Sequence, residues 1–161
     1  MSHKTLLVVI PDELSVLVEK GEITDRYYNP GDLFDEVHIL MTNNDRPDPA
    51  ALQKTAGRAR LYLHNLPGPS FVPSLGWQPF LLRNWVAQGV ALVREIHPHL
   101  IRAHGIFLNG YLGARICRQI GIPFVVSLHT HPDADMRDIT PWWPSTKERW
   151  RFERFRYFER E

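Results

Sequence analysis

The chain has 161 residues, of which 43% are hydrophobic and 23% charged, and its formal net charge is +1. This composition is that of a globular domain with a core of its own, and the near-neutral charge argues neither for nor against a nucleic-acid partner. The single cysteine, Cys117, excludes an internal disulfide and fits a reducing compartment. The apolar run at residues 6–10 is too short for a signal peptide or a membrane span, so we expect a cytoplasmic protein without a transmembrane segment.

The first half of the chain predicts three strands with short helices between them. An apolar strand at residues 4–10 precedes a helix at residues 13–20, for which Asp12 is a possible N-terminal cap. A turn-rich loop with Tyr27 and Tyr28 comes next. It leads to a second strand at 36–41, a helix at 50–56 and a third strand at 59–63.

The second half predicts a long amphipathic helix followed by a strand–helix–strand unit. The elements are a helix at 79–96, a strand at 100–103, a helix at 109–120 and a buried strand at 124–128. Apolar strands joined by helices pair in parallel with right-handed crossovers. We therefore expect one α/β domain over residues 1–161, with a doubly wound, Rossmann-like, mostly parallel sheet of order 3-2-1-4-5 and helices on both faces.

Polar residues follow the fourth and fifth predicted strands, at the sheet edge where ligands of such folds bind. They are His104-Gly105 and the segment from His129 to His131. Two imidazoles in a His-x-His pair can share a metal ion, but a hydrolase site needs further ligands, and no histidine follows His131. We therefore expect no metal site. For His131 we expect an ordinary polar loop, because the following proline restricts its backbone to extended geometry.

Several nucleotide and hydrolase motifs are absent from the sequence. No G-x-G-x-x-G follows the first strand, and neither a P-loop nor a G-x-S-x-G turn occurs. We therefore expect no bound dinucleotide or other cofactor. A predicted C-terminal helix at residues 147–161 alternates arginine with glutamate, which favours a solvated or domain-packing helix over a nucleic-acid or membrane contact.

The sequence resembles the N-terminal domain of GT-B glycosyltransferases, in particular glycosyltransferase family 4. The resemblance is carried by IRAHG at 101–105, GAR at 113–115, GIPFVV at 121–126 and SLH at 127–129. These segments match a strand ending in histidine and a small residue, a helix with an early glycine, and a second strand ending in histidine. Upstream, YYNPGDLFDEV at 27–37 is similar to the approach to the second strand in some of these enzymes.

The resemblance implies the acceptor-side half of a retaining, metal-independent enzyme that uses a nucleotide-diphosphate sugar, with the donor held mainly by a second domain. It implies that this chain alone is inactive. The acceptor would be a sugar, a lipid or another small molecule. His129 is then the expected catalytic residue, and the expected substrate contacts are Lys20, Gly21, Glu22, Tyr27, Tyr28, His104, Gly105 and Asp133.

Two other interpretations stay open on the sequence. One is a free-standing flavodoxin-like binding or interaction module that performs no chemistry. The other is a metal-dependent hydrolase that uses the pair of His129 and His131. The preferred interpretation includes no nucleic-acid partner.

Overall fold

A computed structural model describes residues 3–69 and 79–128 of the chain. In chain order the elements are β1 (Thr5–Ile10), α1 (Leu14–Glu19), β2 (Glu36–Met41), α2 (Pro49–Leu52), β3 (Arg60–Asn65), α3 (Pro79–Ile96), β4 (Leu100–His104), α4 (Leu108–Ile120) and β5 (Phe124–Ser127). Each predicted strand and helix within these residues is present. The ends differ by one or two residues, except that the helix predicted at 50–56 is α-helical only to Leu52 and continues as a 3-10 helix over Gln53–Ala56. None of the helices in the described part is long and apolar enough to cross a membrane.

The five strands form one parallel sheet of order β3-β2-β1-β4-β5, which confirms the predicted fold class and strand order. β1 is the central strand: Leu6 pairs with Val37 of β2 on one side and with Leu100 of β4 on the other. The chain therefore winds outward in two directions from β1. The switch point between the two directions lies between β1 and β4.

Helices cover both faces of the sheet, each over its own apolar cluster. Alternate residues of β1 point to opposite faces, so Leu7 and Val9 pack under α3 and α4 while Leu6 and Val8 pack on the side of α1 and α2. All six residues of β1 are buried. A strand with five apolar residues in a row, Leu6–Ile10, is stable only when both of its faces are covered, as they are here.

Helix α4 lies close against β5 because residue 113 is a glycine. A Cβ at Gly113 would overlap the ring of Phe124 in β5. The helix ends at Gly121, whose φ of 79° is left-handed and whose N–H donates to the carbonyl of Cys117 at 2.7 Å. Cys117 is buried, and burial raises the pKa of its thiol to about 11, which favours a structural role over that of a nucleophile.

The predicted cap of α1 is wrong. The N-cap position is Glu13, and no side chain there caps the helix. Asp45, from the loop after β2, accepts instead from the backbone N–H of Ser15 at 2.9 Å and from its hydroxyl at 2.6 Å. A carboxylate from a distant loop thus accepts a hydrogen bond from a backbone N–H in the first turn of α1. Asp12 lines the cleft that is described below.

The expectation that the fifth strand is fully buried is also wrong. Val125 and Val126 are 45% and 38% exposed, and Leu128 beyond the strand is 57% exposed. β5 is the edge strand on its side of the sheet, so a neighbouring strand pairs with it on one side only among the described residues. The apolar run at 124–128 therefore predicted a strand correctly but did not predict how exposed its side chains are.

The opposite edge of the sheet carries a polar cluster made of Glu36 and His38 from β2 and Tyr62 and His64 from β3. Nδ1 of His38 lies 2.9 Å from Nε2 of His64, so one ring donates its N–H to the bare nitrogen of the other, and the accepting ring is neutral. The His38 ring also stacks on Tyr62, with the ring centroids 4.5 Å apart. Burial lowers the pKa of His38 to about 4, and the charge of His64 lowers it in the same direction. The negative charge of Glu36 acts in the opposite direction and is outweighed.

This geometry makes the stability of the fold depend on pH. The folded pKa of His38 lies below its unfolded value of about 6.5, so between these values only the unfolded chain takes up the proton. At neutral pH the titration of His38 therefore leaves the free energy of unfolding unchanged. As pH falls from about 6.5 toward 4, it lowers that free energy, by on the order of 2–3 kcal/mol at pH 4.5. Urea unfolding of wild type and a His38→Leu variant at pH 7 and pH 4.5 should show a smaller acid loss in the variant. His97→Asn, which replaces an exposed histidine, should keep the wild-type difference, and an equal acid loss in all three proteins would contradict the assignment.

Candidate functional site

A cleft of about 360 Å³ opens at the carboxyl edge of the sheet, on the face covered by α1 and α2. It lies beside the switch point, where β1 and β4 end next to each other. Asp12 comes from the turn after β1, and His104 is the last residue of β4. The described residues that line the cleft are Asp12, Leu17, Glu22, Ile23, Thr24, Tyr27, Tyr28, Thr55 and His104.

The loop that carries the two tyrosines is fixed to the body of the domain on both sides. The backbone N–H groups of Arg26 and Tyr28 donate to the carbonyls of Lys54 and Thr55, at 2.8 Å and 3.0 Å. Asn29 is fully buried, and its side-chain amide donates to the carbonyl of Ala56 at 3.1 Å. These bonds hold the tyrosine loop against the segment after α2, so the wall of the cleft is pre-formed.

Tyr27, Tyr28 and His104 form a compact group of three rings. The ring centroids are 5.0 Å apart for the two tyrosines, 5.7 Å for Tyr27 and His104, and 5.6 Å for Tyr28 and His104. The first two pairs meet edge to face, an arrangement that the ring quadrupoles favour. Tyr28 and His104 are buried, whereas Tyr27 is 39% exposed and lines the cleft with aromatic surface.

The electrostatic character of the cleft comes from two exposed carboxylates, Asp12 and Glu22. Burial raises the pKa of the Tyr28 hydroxyl well above its usual value, and the negative charge of Asp12 raises it further. The phenol is therefore neutral at any physiological pH and can serve as a hydrogen-bonding group. The charge of Arg102 acts in the opposite direction on Tyr28 and is the weaker influence.

Two residues that the sequence did not single out join the strand ends behind the cleft. The Thr42 hydroxyl lies within hydrogen-bond distance of two acceptors, the side-chain oxygen of Asn109 at 2.8 Å and the backbone carbonyl of Ile10 at 3.1 Å. The amide of Asn109 in turn donates to the carbonyl of His104 at 3.0 Å. The carboxyl ends of β1, β2 and β4 are thereby tied together, which positions His104.

The structure brings four of the expected substrate contacts into one cleft: Glu22, Tyr27, Tyr28 and His104. Lys20 and Gly21 are exposed on the turn that closes α1 and do not line it. Gly105 adopts a left-handed φ of 83° directly after His104 and turns the chain away from the sheet, again without lining the cleft. His129 and Asp133 lie outside the described residues, as does His131.

The prediction missed five of the described lining residues, and Asp12 is the charged one among them; the others are Leu17, Ile23, Thr24 and Thr55. Asp12 lies in the turn after β1, so the same strand-end rule that selected His104 could have found it. A metal centre gains no support, since residues 3–69 and 79–128 contain no group of three or more histidine, cysteine, aspartate or glutamate side chains able to hold an ion.

The solved structures that resemble this chain include two crystal structures of the C-terminal domain of PF1911 hydrogenase from Pyrococcus furiosus. The first has a TM-score of 0.48 and 13% sequence identity, and the second a TM-score of 0.46 and 10% identity. Each match covers 78% of this chain and 91% of the other. No curated protein sequence matches the chain significantly.

Comparison with protein families gives a match that covers most of the chain. The family is described as Glycosyltransferase Family 4, and its model matches residues 33–160. This range includes β2 to β5 and the strand-end residue His104, which lines the cleft. The chain belongs to glycosyltransferase family 4.

Proposed function

We propose that this domain is the acceptor-binding half of a retaining, metal-independent glycosyltransferase that takes its sugar from a nucleotide-diphosphate donor. The observation that carries the proposal is the cleft at the β1–β4 switch point, in a chain that belongs to glycosyltransferase family 4. Its rings offer an apolar face to a sugar ring, and its carboxylates and hydroxyls offer hydrogen-bond partners to sugar hydroxyl groups. A flavodoxin-like module without chemistry is less favoured, because the family match concerns glycosyltransferases.

In this proposal the two strand-end histidines have different tasks. His104 is buried under the two tyrosines and shapes the floor of the acceptor cleft. His129 follows β5 and is proposed to hydrogen-bond the transferred sugar or a phosphate oxygen near the reacting centre. Asp133, four residues further on, is proposed to contact substrate as well.

The donor nucleotide sugar is proposed to bind mainly to a second Rossmann-like domain. The described strand ends contain no glycine-rich turn after β1 that would let a pyrophosphate approach the backbone, since Pro11 and Asp12 occupy that position. We place the reaction in the cytoplasm, which suits a protein whose single cysteine is a buried structural thiol. Nucleic acid has no part in this proposal.

The role of the aromatic wall is tested by Tyr27→Ala with glucose as a neutral probe of the cleft. Loss of the exposed ring should weaken glucose binding about tenfold, equivalent to about 1.4 kcal/mol, while the melting temperature changes little because the side chain is partly exposed. Saturation-transfer NMR titration of the 161-residue chain measures the affinity.

Tyr62→Ala is the matched control, since Tyr62 is 38% exposed but lies on β3, away from the cleft. This variant should bind glucose like wild type. Equal losses in the two variants, or no binding by the wild-type chain, would contradict the proposed acceptor site.

The role of His129 is tested in a protein that carries both this domain and a donor domain. His129→Ala should lower turnover roughly a hundredfold, because one donor in a preorganised site stabilises a transition state by about 3 kcal/mol. The melting temperature should stay nearly unchanged, and His131→Ala should have a much smaller effect on turnover. The 161-residue chain alone should transfer no sugar; turnover by it, or an unimpaired His129→Ala enzyme, would contradict the proposal.

A further inference from the structure

We propose that the acceptor cleft selects its ligand by charge: it accepts amino-bearing and neutral sugar rings and discriminates against phosphorylated ones. The inference rests on the proposed function, because it specifies the acceptor of that same site. The observations behind it are the composition of the cleft lining, the positions of the nearby cations and the shape of the aromatic wall.

The lining of the cleft is acidic. Asp12 and Glu22 both line it, and none of the described lining residues is a lysine or an arginine. Protein sites that bind phosphate or carboxylate groups supply guanidinium or ammonium groups, or backbone N–H groups at a glycine-rich turn. A phosphate that entered this cleft would meet two like charges, whereas a protonated amine would meet two opposite ones.

The cations of the surrounding elements stand outside the lining of the cleft. Lys20 lies on the turn beside Glu22. Arg26 forms an ion pair with Asp32, with Nε and Oδ2 3.5 Å apart. Arg102 donates from Nε to the hydroxyl of Ser127 at 2.7 Å, and its charge acts on Tyr28 more weakly than the charge of Asp12 does.

The Tyr28 hydroxyl reports the sign of the local field. After burial, the charge of Asp12 is the largest influence that raises its pKa, and it exceeds the opposing influence of Arg102. At the Tyr28 hydroxyl the negative charge of Asp12 therefore outweighs the positive charge of Arg102. The same balance, acting on a bound ligand, would stabilise a cationic group and disfavour an anionic one.

The shape of the cleft points to a ring as the ligand. Its volume of about 360 Å³ lies in the range of small-molecule sites, near the lower end. Tyr27 offers exposed aromatic surface, while Tyr28 and His104 support it from behind. Such a wall packs against the C–H face of a sugar ring and leaves the ring substituents to the carboxylates.

The test compares three sugars that share one ring: glucosamine, glucose and glucose 6-phosphate. Saturation-transfer NMR titrations of the 161-residue chain at low salt should rank them in that order, with about a threefold to tenfold step on either side of glucose. The steps should shrink when the salt concentration is raised to about 0.5 M, because exposed charges are screened. A structural effect of the sugar substituents would not respond to salt in this way.

Variants assign the selectivity to the two carboxylates. The double variant Asp12→Asn and Glu22→Gln should bind the three sugars with nearly equal affinity, because the amides keep polar groups in the lining but remove its two negative charges. The control is Glu19→Gln, which removes an exposed carboxylate at the end of α1 that does not line the cleft, and it should keep the wild-type ranking.

The outcomes separate the two claims. If glucose binds and glucose 6-phosphate binds as tightly or more tightly, the charge selection is wrong and the acceptor site stands. If the ranking persists unchanged in the double variant, the selection does not come from Asp12 and Glu22 and the inference is overturned. If none of the three sugars binds, the proposed function fails and the inference fails with it.

Discussion

The reversal of winding at β1 is the constraint on which the rest of this structure depends. β2 and β4 pair with β1 on opposite sides, so the connections that leave the carboxyl ends of β1 and β4 run in opposite directions. A gap between them follows from the topology itself. The hydrogen bonds from Thr42 and Asn109 to the ends of the strands hold that gap in one geometry, and the cleft forms over it.

The site combines a rigid wall with an exposed acidic rim. The wall is rigid because backbone hydrogen bonds from Arg26 and Tyr28 attach the tyrosine loop to the segment after α2, and because buried Asn29 anchors it from below. The rim, Asp12 and Glu22, is exposed and makes its contribution through charge. In the proposed site the wall orients a sugar ring, and the charges of the rim distinguish the substituents on it. The polar cluster of His38 and His64 lies on the other face of the sheet and affects stability, not the site.

Sequence patterns predicted the sheet well because an all-parallel arrangement leaves a strong signal. The central strand β1 is a nearly continuous apolar run, helices separate the strands along the chain, and the predicted order 3-2-1-4-5 is the one observed. The same patterns could not show that β5 is an edge strand, since an apolar run looks alike whether its faces are covered or not. Nor could they show that Asp45 would bond the start of α1 in place of Asp12, because that contact joins residues 30 positions apart. Position at a strand end identified His104, but the choice among polar loop residues needed the fold.

The central claim is that the cleft at the β1–β4 switch point binds a sugar. The most direct measurement is the change in backbone amide chemical shifts of the ¹⁵N-labelled chain on titration with glucosamine. The account predicts that the largest changes occur at Asp12, at residues 22–28 and at His104 and Gly105, around the lining of the cleft. Changes concentrated instead at the β2–β3 edge, around His38 and His64, or an absence of any saturable change, would contradict it.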